Sequence, residues 1–159
     1  MNKIESFKID HTRLLAGIYV SLRQNFGGQD ITTFDIRLLR PNIDPVMSTA
    51  VAHTIEHLGA TYLRNRSDFG DKVVYFGPMG CRTGFYLVAA GRLCPKCVWN
   101  VLTDTFKFIA DFEGDIPGAS PVECGNYSDM DLAAAKELAL SFYTNVLLDP
   151  KEENMNYPK

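Results

Sequence analysis

The sequence predicts an α+β fold in which one antiparallel sheet is covered by helices, residues 1–159 forming a single domain. Three observations carry that prediction. Residues 30–40 place Phe34, Ile36 and Leu38 against Asp35 and Arg37, and that period of two gives a strand with one face on the core. Two long segments show apolar residues at helical spacing. Finally, residues 72–76 and 83–90 read as successive strands joined only by the turn Gly77-Pro78-Met79-Gly80-Cys81, whereas a parallel α/β chain would alternate strand with helix.

Taken in order, residues 18–22 read as a first strand and residues 30–40 as a second. Pro41-Asn42-Ile43-Asp44-Pro45 ends the second, with Asp44 suited to cap the next helix and Pro45 to its first position. The helix expected over 45–66 carries Val51, Ile55, Leu58 and Tyr62 as one stripe facing the sheet. Pro95 opens a second helix with Val98, Val101, Leu102, Thr105, Ile109 and Phe112 inward. A glycine- and proline-rich loop follows over 114–125, then a third helix over 129–148 with Ser128 as its capping residue.

Composition narrows the function classes. The chain has 46% hydrophobic and 22% charged residues and a net charge of −3, with no basic block to favour nucleic acid or an anionic membrane. Its clean apolar runs reach about six residues, against the ~20 that a membrane-spanning helix needs. No apolar h-region follows Met1, so a cytoplasmic address and reduced thiols are expected for the four cysteines.

The most informative motif is His53-Thr54-Ile55-Glu56-His57. Residues four apart share a helix face, so both imidazoles can reach one metal ion while Glu56 stands beside it to move protons. The order H-x-x-E-H is a metal-hydrolase signature. Small Ala50 and Ala60 flank the pair. A third ligand has two candidates in Glu123-Cys124-Gly125. Cys124 would leave a coordination position open, as catalytic zinc sites do, or it is a packed apolar cysteine. Glu123 would match an inverted-motif peptidase. A closed structural site, with Cys81 or Glu56 as fourth ligand, is a third option. Cys81 stands between Gly80 and Gly84 with Arg82 adjacent, which favours an exposed thiolate unless it is merely a turn cysteine. Cys94-Pro95-Lys96-Cys97 lacks a second C-x-x-C and reads as structural. Arg37 leaves the core face of its strand, as a surface residue or a substrate clamp. His11 reads as a surface histidine, and Arg64 lies about two turns beyond His57.

Together, His53–Leu58, Pro78-Met79-Gly80-Cys81-Arg82-Thr83-Gly84, Phe34-Asp35-Ile36-Arg37 and Glu123-Cys124-Gly125, preceded by Glu5-Ser6-Phe7 and Asp10-His11, resemble the S-ribosylhomocysteine lyase family over nearly the whole chain. The resemblance implies a homodimer with one divalent metal per subunit, Fe²⁺ by nature with Zn²⁺ or Co²⁺ as substitutes. It implies His53, His57 and Cys124 as ligands, Cys81 and Glu56 as the acid/base pair, and Arg37 and Arg64 as substrate contacts. Ser6, Phe7 and His11 would be presented to the partner subunit's site, placing the active sites at the interface. The implied reaction converts S-ribosylhomocysteine to homocysteine and 4,5-dihydroxypentane-2,3-dione, the autoinducer-2 precursor, by carbonyl migration and β-elimination. That product serves quorum sensing, methyl-cycle recycling or both. One departure stands out: Tyr75-Phe76-Gly77 occupy the places where the family commonly has Asp-Ile-Ser, so a contact made by that aspartate does not carry over.

Overall fold

The computed structural model describes residues 7–158, leaving Ser6 outside the described residues. Four strands form one antiparallel sheet: β1 (Gly17–Phe26), β2 (Gln29–Arg37), β3 (Val73–Pro78) and β4 (Gly84–Ala90), in the order β1-β2-β4-β3. Three helices cover one face: α1 (Thr49–Arg64), α2 (Pro95–Asp111) and α3 (Leu132–Phe142). The α+β reading of the sequence is borne out.

β1 and β2 make a hairpin whose two turn residues, Gly27 and Gly28, have φ of 58° and 89°. Both positions need the left-handed region that a tight hairpin turn imposes, and glycine reaches it without a Cβ clash. β1 runs four residues further than expected, because Arg23–Asn25 carry polar side chains on a solvent-exposed edge and give no apolar signal.

Register across the sheet separates its two faces. Phe34, Ile36, Phe85 and Leu87 are fully buried under the helices. Against them α1 brings Val51, Ile55 and Leu58, each 6% exposed or less; burying such a side chain contributes about 1.5–3 kcal/mol. Gly59 lets α1 approach β3 closely, since a Cβ there would lie 2.5 Å from the Phe76 ring. Tyr62 departs from the expected stripe and stacks on Phe108 of α2 at 4.5 Å between ring centroids.

Helix boundaries differ from the expectation in α1 and α3. α1 is capped by Ser48, whose Oγ accepts from the Val51 amide. Asp44 is taken up elsewhere, accepting from the Arg40 amide at 2.7 Å and from its guanidinium. α3 is capped by Asp131, which accepts from the Ala134 amide, rather than by Ser128. Past Phe142 the α-helix widens into a π-turn over Tyr143–Leu147.

α2 begins as expected at Pro95, a residue that loses no helical hydrogen bond there. Cys94 and Cys97 are joined by a disulfide across this first turn, which corrects the expectation of reduced thiols for this pair. Cys81 and Cys124 are free.

Candidate metal centre

His53 and His57 lie one turn apart on α1, partly buried, with ring centroids 4.6 Å apart. Cys124 comes from the long segment between α2 and α3, and its Sγ is 3.3 Å from His53 Nε2. One donor atom from each of the three residues falls within 4.8 Å of the other two.

The loop that brings the thiol also orients the rings. His53 Nδ1 donates to the Asp129 carbonyl at 3.0 Å, and His57 Nδ1 to the Pro117 carbonyl at 2.7 Å. A histidine whose Nδ1 proton is committed to a carbonyl offers Nε2 as a lone-pair donor, which is the arrangement metal-ligating histidines use. Two such nitrogens with a thiol form a soft-to-borderline donor set suited to a divalent transition metal. The three residues therefore fit a divalent metal.

Local chemistry explains why the loop lies there. Gly118 has φ 72°, and a Cβ on it would stand 3.2 Å from His57 Nδ1, so glycine is what permits the Pro117 carbonyl to turn inward. Downstream, the Asp131 amide donates to Thr54 Oγ1 at 2.9 Å, pinning the loop to the same helix that carries the histidines. Glu123, the rival ligand, accepts from Ser120 Oγ at 2.6 Å on the exposed side and is not a member of the cluster. That removes the ligand set on which the peptidase reading depended.

A second cluster surrounds the other free thiol. Arg37, 3% exposed, reaches Cys81 Sγ at 3.6 Å through one terminal nitrogen, and its Nε and other terminal nitrogen form a bidentate pair with Asp35. Thr83 Oγ1 lies 3.2 Å from the same sulfur. Partial burial of the thiol opposes ionisation, but the Thr83 hydroxyl and amide, with the Arg37 charge, outweigh it and hold Cys81 below its ordinary value. The sequence assigned this effect to Arg82; the structure gives it first to Thr83 and then to Arg37. Arg37 is not a surface residue: it is buried, and Asp35 two residues earlier shares its strand face and pairs with it.

Glu56 is partly buried on α1 next to His57. Arg64 donates to the Val73 and Val74 carbonyls at 3.2 and 3.0 Å, satisfying backbone groups freed by the bulge in β3. Phe7 is 69% exposed, and His11 Nδ1 lies 3.0 Å from the Ile9 carbonyl. Sequence reasoning missed the carbonyls of Pro117 and Asp129, the Thr54 pin, and Asp35 with Thr83 behind Cys81. The Pro117-Gly118 pair was the one available signal for the first of these.

The family profile described as S-ribosylhomocysteinase (LuxS) matches residues 4–153. The chain belongs to the S-ribosylhomocysteinase family. Among its relatives, a protein of Clostridium beijerinckii named S-ribosylhomocysteine lyase is 56% identical over 158 residues, 99% of each chain. One of Finegoldia magna with the same name is 52% identical over the full length of both. A third, of Phocaeicola vulgatus, is 49% identical, covering 99% of this chain and 98% of its own. The family is metal-dependent, and the His53–His57–Cys124 cluster is where this member has the donors for it.

Proposed function

We propose that this chain cleaves S-ribosylhomocysteine into homocysteine and 4,5-dihydroxypentane-2,3-dione, as its relatives' shared name indicates. The observation that carries the reading is the juxtaposed donor set of His53, His57 and Cys124, with both imidazoles oriented by backbone carbonyls.

His53, His57 and Cys124 would hold one divalent metal per subunit, Fe²⁺ in the cell with Zn²⁺ or Co²⁺ able to substitute. When bound, that metal supplies Lewis-acid polarisation of the sugar oxygens. The remaining work is proton transfer by the chain itself. Moving the carbonyl from C1 towards C3 requires a base to take a carbon-bound proton and an acid to return one, twice over. Cys81, with its depressed thiol, is suited to the first role, and Glu56, beside the ligands, to protons on the other side of the sugar. Glu56 then removes the proton whose loss expels homocysteine thiolate by β-elimination, breaking the carbon–sulfur bond. Arg37 holds the Cys81 side of the site in charge balance, and the free donors of Arg64 remain available to the substrate's amino-acid end.

We assign the active unit as a homodimer. Supporting this, Leu22, Thr33, Val88 and Tyr75 form one row across the sheet face opposite α1, α2 and α3, with Leu22 38% and Tyr75 47% exposed. A second copy on that face would bring Ser6, Phe7 and His11 of each N-terminal segment towards the other's site. None of the helices among the described residues is long and apolar enough to cross a membrane, and a cytoplasmic enzyme of the methyl cycle and autoinducer synthesis is the setting we propose.

The test is release of homocysteine from S-ribosylhomocysteine, read with a thiol reagent, by metal-loaded and chelated protein side by side. Release that requires the metal is expected. Peptide hydrolysis without homocysteine release by the loaded protein would overturn the assignment.

A further inference from the structure

The last ten described residues do not trail away from the domain. From the end of the π-turn they run back across the uncovered sheet face and are seated there by specific contacts. Gly17 opens β1 without a Cβ, which would otherwise stand 2.2 Å from the Asn154 carbonyl oxygen. Asn154 Nδ2 donates to the Ala16 carbonyl at 2.8 Å, and Tyr19 Oη to the Glu153 carbonyl at 3.2 Å. Tyr157 then stacks on Tyr19, with centroids 4.7 Å apart and planes within 10°.

From that position the Tyr157 hydroxyl donates to Asp35 Oδ2 at 3.1 Å. The same oxygen accepts from Arg37 at 2.6 Å, and Asp35 Oδ1 accepts from Arg37 Nε at 3.1 Å. Asp35 is 2% exposed, so solvent offers it no substitute donor. The other terminal nitrogen of the guanidinium faces Thr83 Oγ1 and Cys81 Sγ. A continuous path therefore runs from the tail phenol, through one carboxylate and one guanidinium, to the free thiol.

We propose that Tyr157 is a positioning residue for Cys81, acting through Asp35 and Arg37. The guanidinium divides its charge and its donors between a carboxylate and a sulfur. A donor that reaches Asp35 from elsewhere lessens the carboxylate's hold on Arg37 and leaves more of that positive charge at Cys81. Three donors on one buried carboxylate also fix its rotamer, and with it the direction in which Arg37 points. Tyr157 lies beyond residue 153, where the match to the family profile ends.

Tyr19 and Tyr86 flank Asp35 on the neighbouring strands, Ser21 hydrogen-bonds the Tyr157 hydroxyl, Glu153 acts on Tyr19, and Arg82 adjoins Cys81. Burial and the Asp35 charge push the phenols of Tyr19, Tyr86 and Tyr157 above their ordinary range, so Tyr157 stays a donor at any working pH.

The proposal rests on the reading of Cys81 as a proton-transfer group, and the experiment separates the two. In metal-loaded full-length protein, Tyr157→Phe keeps the ring stack and removes the hydroxyl, with its donation to Asp35 and its hydrogen bond to Ser21. Alkylation of the Cys81 peptide by iodoacetamide, followed across pH by mass spectrometry, should show its midpoint raised by about half a unit and its rate near neutrality about threefold slower. Metal content should match the parent protein, and kcat for homocysteine release should fall while KM holds. An unchanged Cys81 midpoint in Tyr157→Phe would overturn the proposal. Tyr157→Ala serves as the second variant: a lowered melting temperature with the parent's Cys81 midpoint would show the tail to be a structural prop only, and would equally overturn it. A shifted midpoint in protein that releases no homocysteine would sustain the path to Cys81 and remove the lyase reading instead.

Discussion

Cys81 and Cys124 are both free thiols, yet their neighbours assign them different work. Cys124 faces His53 Nε2 at 3.3 Å, whereas Cys81 faces a guanidinium and a hydroxyl. Cys124→Ala should therefore strip the metal and with it nearly all activity, because a three-ligand site loses its thiolate. Glu123→Ala should keep the metal, since that carboxylate is bound to Ser120. Metal content measured by mass spectrometry distinguishes the two, and the reverse pattern would restore the carboxylate ligand set. For Cys81 the sign follows from its environment. The folded protein holds this thiol below its ordinary value, so its contribution to stability is present above the unfolded value and is lost as pH falls through the folded one. Alkylation of Cys81 should thus reach half-maximal rate at lower pH in native protein than in urea. Thr83→Val, which deletes the hydroxyl at 3.2 Å from the sulfur, should move the native midpoint back towards that of the unfolded chain. Coincident midpoints in native and denatured wild-type protein would show that the surroundings do not activate this thiol.

At the scale of elements, the strands and helices were legible wherever one face is apolar and the other is not. β2 and α2 follow their periodicities closely. The ends were harder. Asp44-Pro45 makes a good helix start in isolation, but Arg40 engages Asp44 more strongly with both its amide and its guanidinium, and Ser48 caps instead. Arg37 looked like a surface residue because an alternating pattern says which face a side chain takes, not whether a later segment covers that face. The site was legible to the extent that side chains build it: His53, His57 and Cys124 are donors by residue type. Its orienting half was hidden because the Pro117 and Asp129 carbonyls are backbone and belong to no motif. Gly118 exposes that half to test. With φ at 72° and His57 Nδ1 3.2 Å from a new Cβ, Gly118→Ala should cost about 1–2 kcal/mol in backbone strain. It should also weaken metal affinity about 10- to 100-fold, the usual range for loss of an orienting partner. Competition against a chelator of known affinity reads this directly; parent-like affinity would mean that the Pro117 carbonyl does not set the His57 ring.

Over the whole molecule, the two sheet faces divide the labour. One is sealed by α1, α2 and α3 and holds the core, while the other carries Asp35 and Arg37 under the tail and, beyond the tail, a row of partly exposed apolar side chains. The homodimer proposed above would bury that row between two copies of the chain. Because a two-fold interface uses the same patch on both copies, one charge introduced per chain is introduced twice. Leu22→Glu and Tyr75→Glu place carboxylates on strands β1 and β3 in the same cross-sheet row, away from the three metal donors and from the helix-covered core. The double variant should therefore retain one metal per chain and its helical content, yet run as a monomer by light scattering. If Ser6, Phe7 and His11 complete the partner's site, it should also lose homocysteine release by about two orders of magnitude or more, the scale of losing substrate positioning. A monomer with parent activity would confine the site to one chain, and a parent-like dimer would move the interface to another surface.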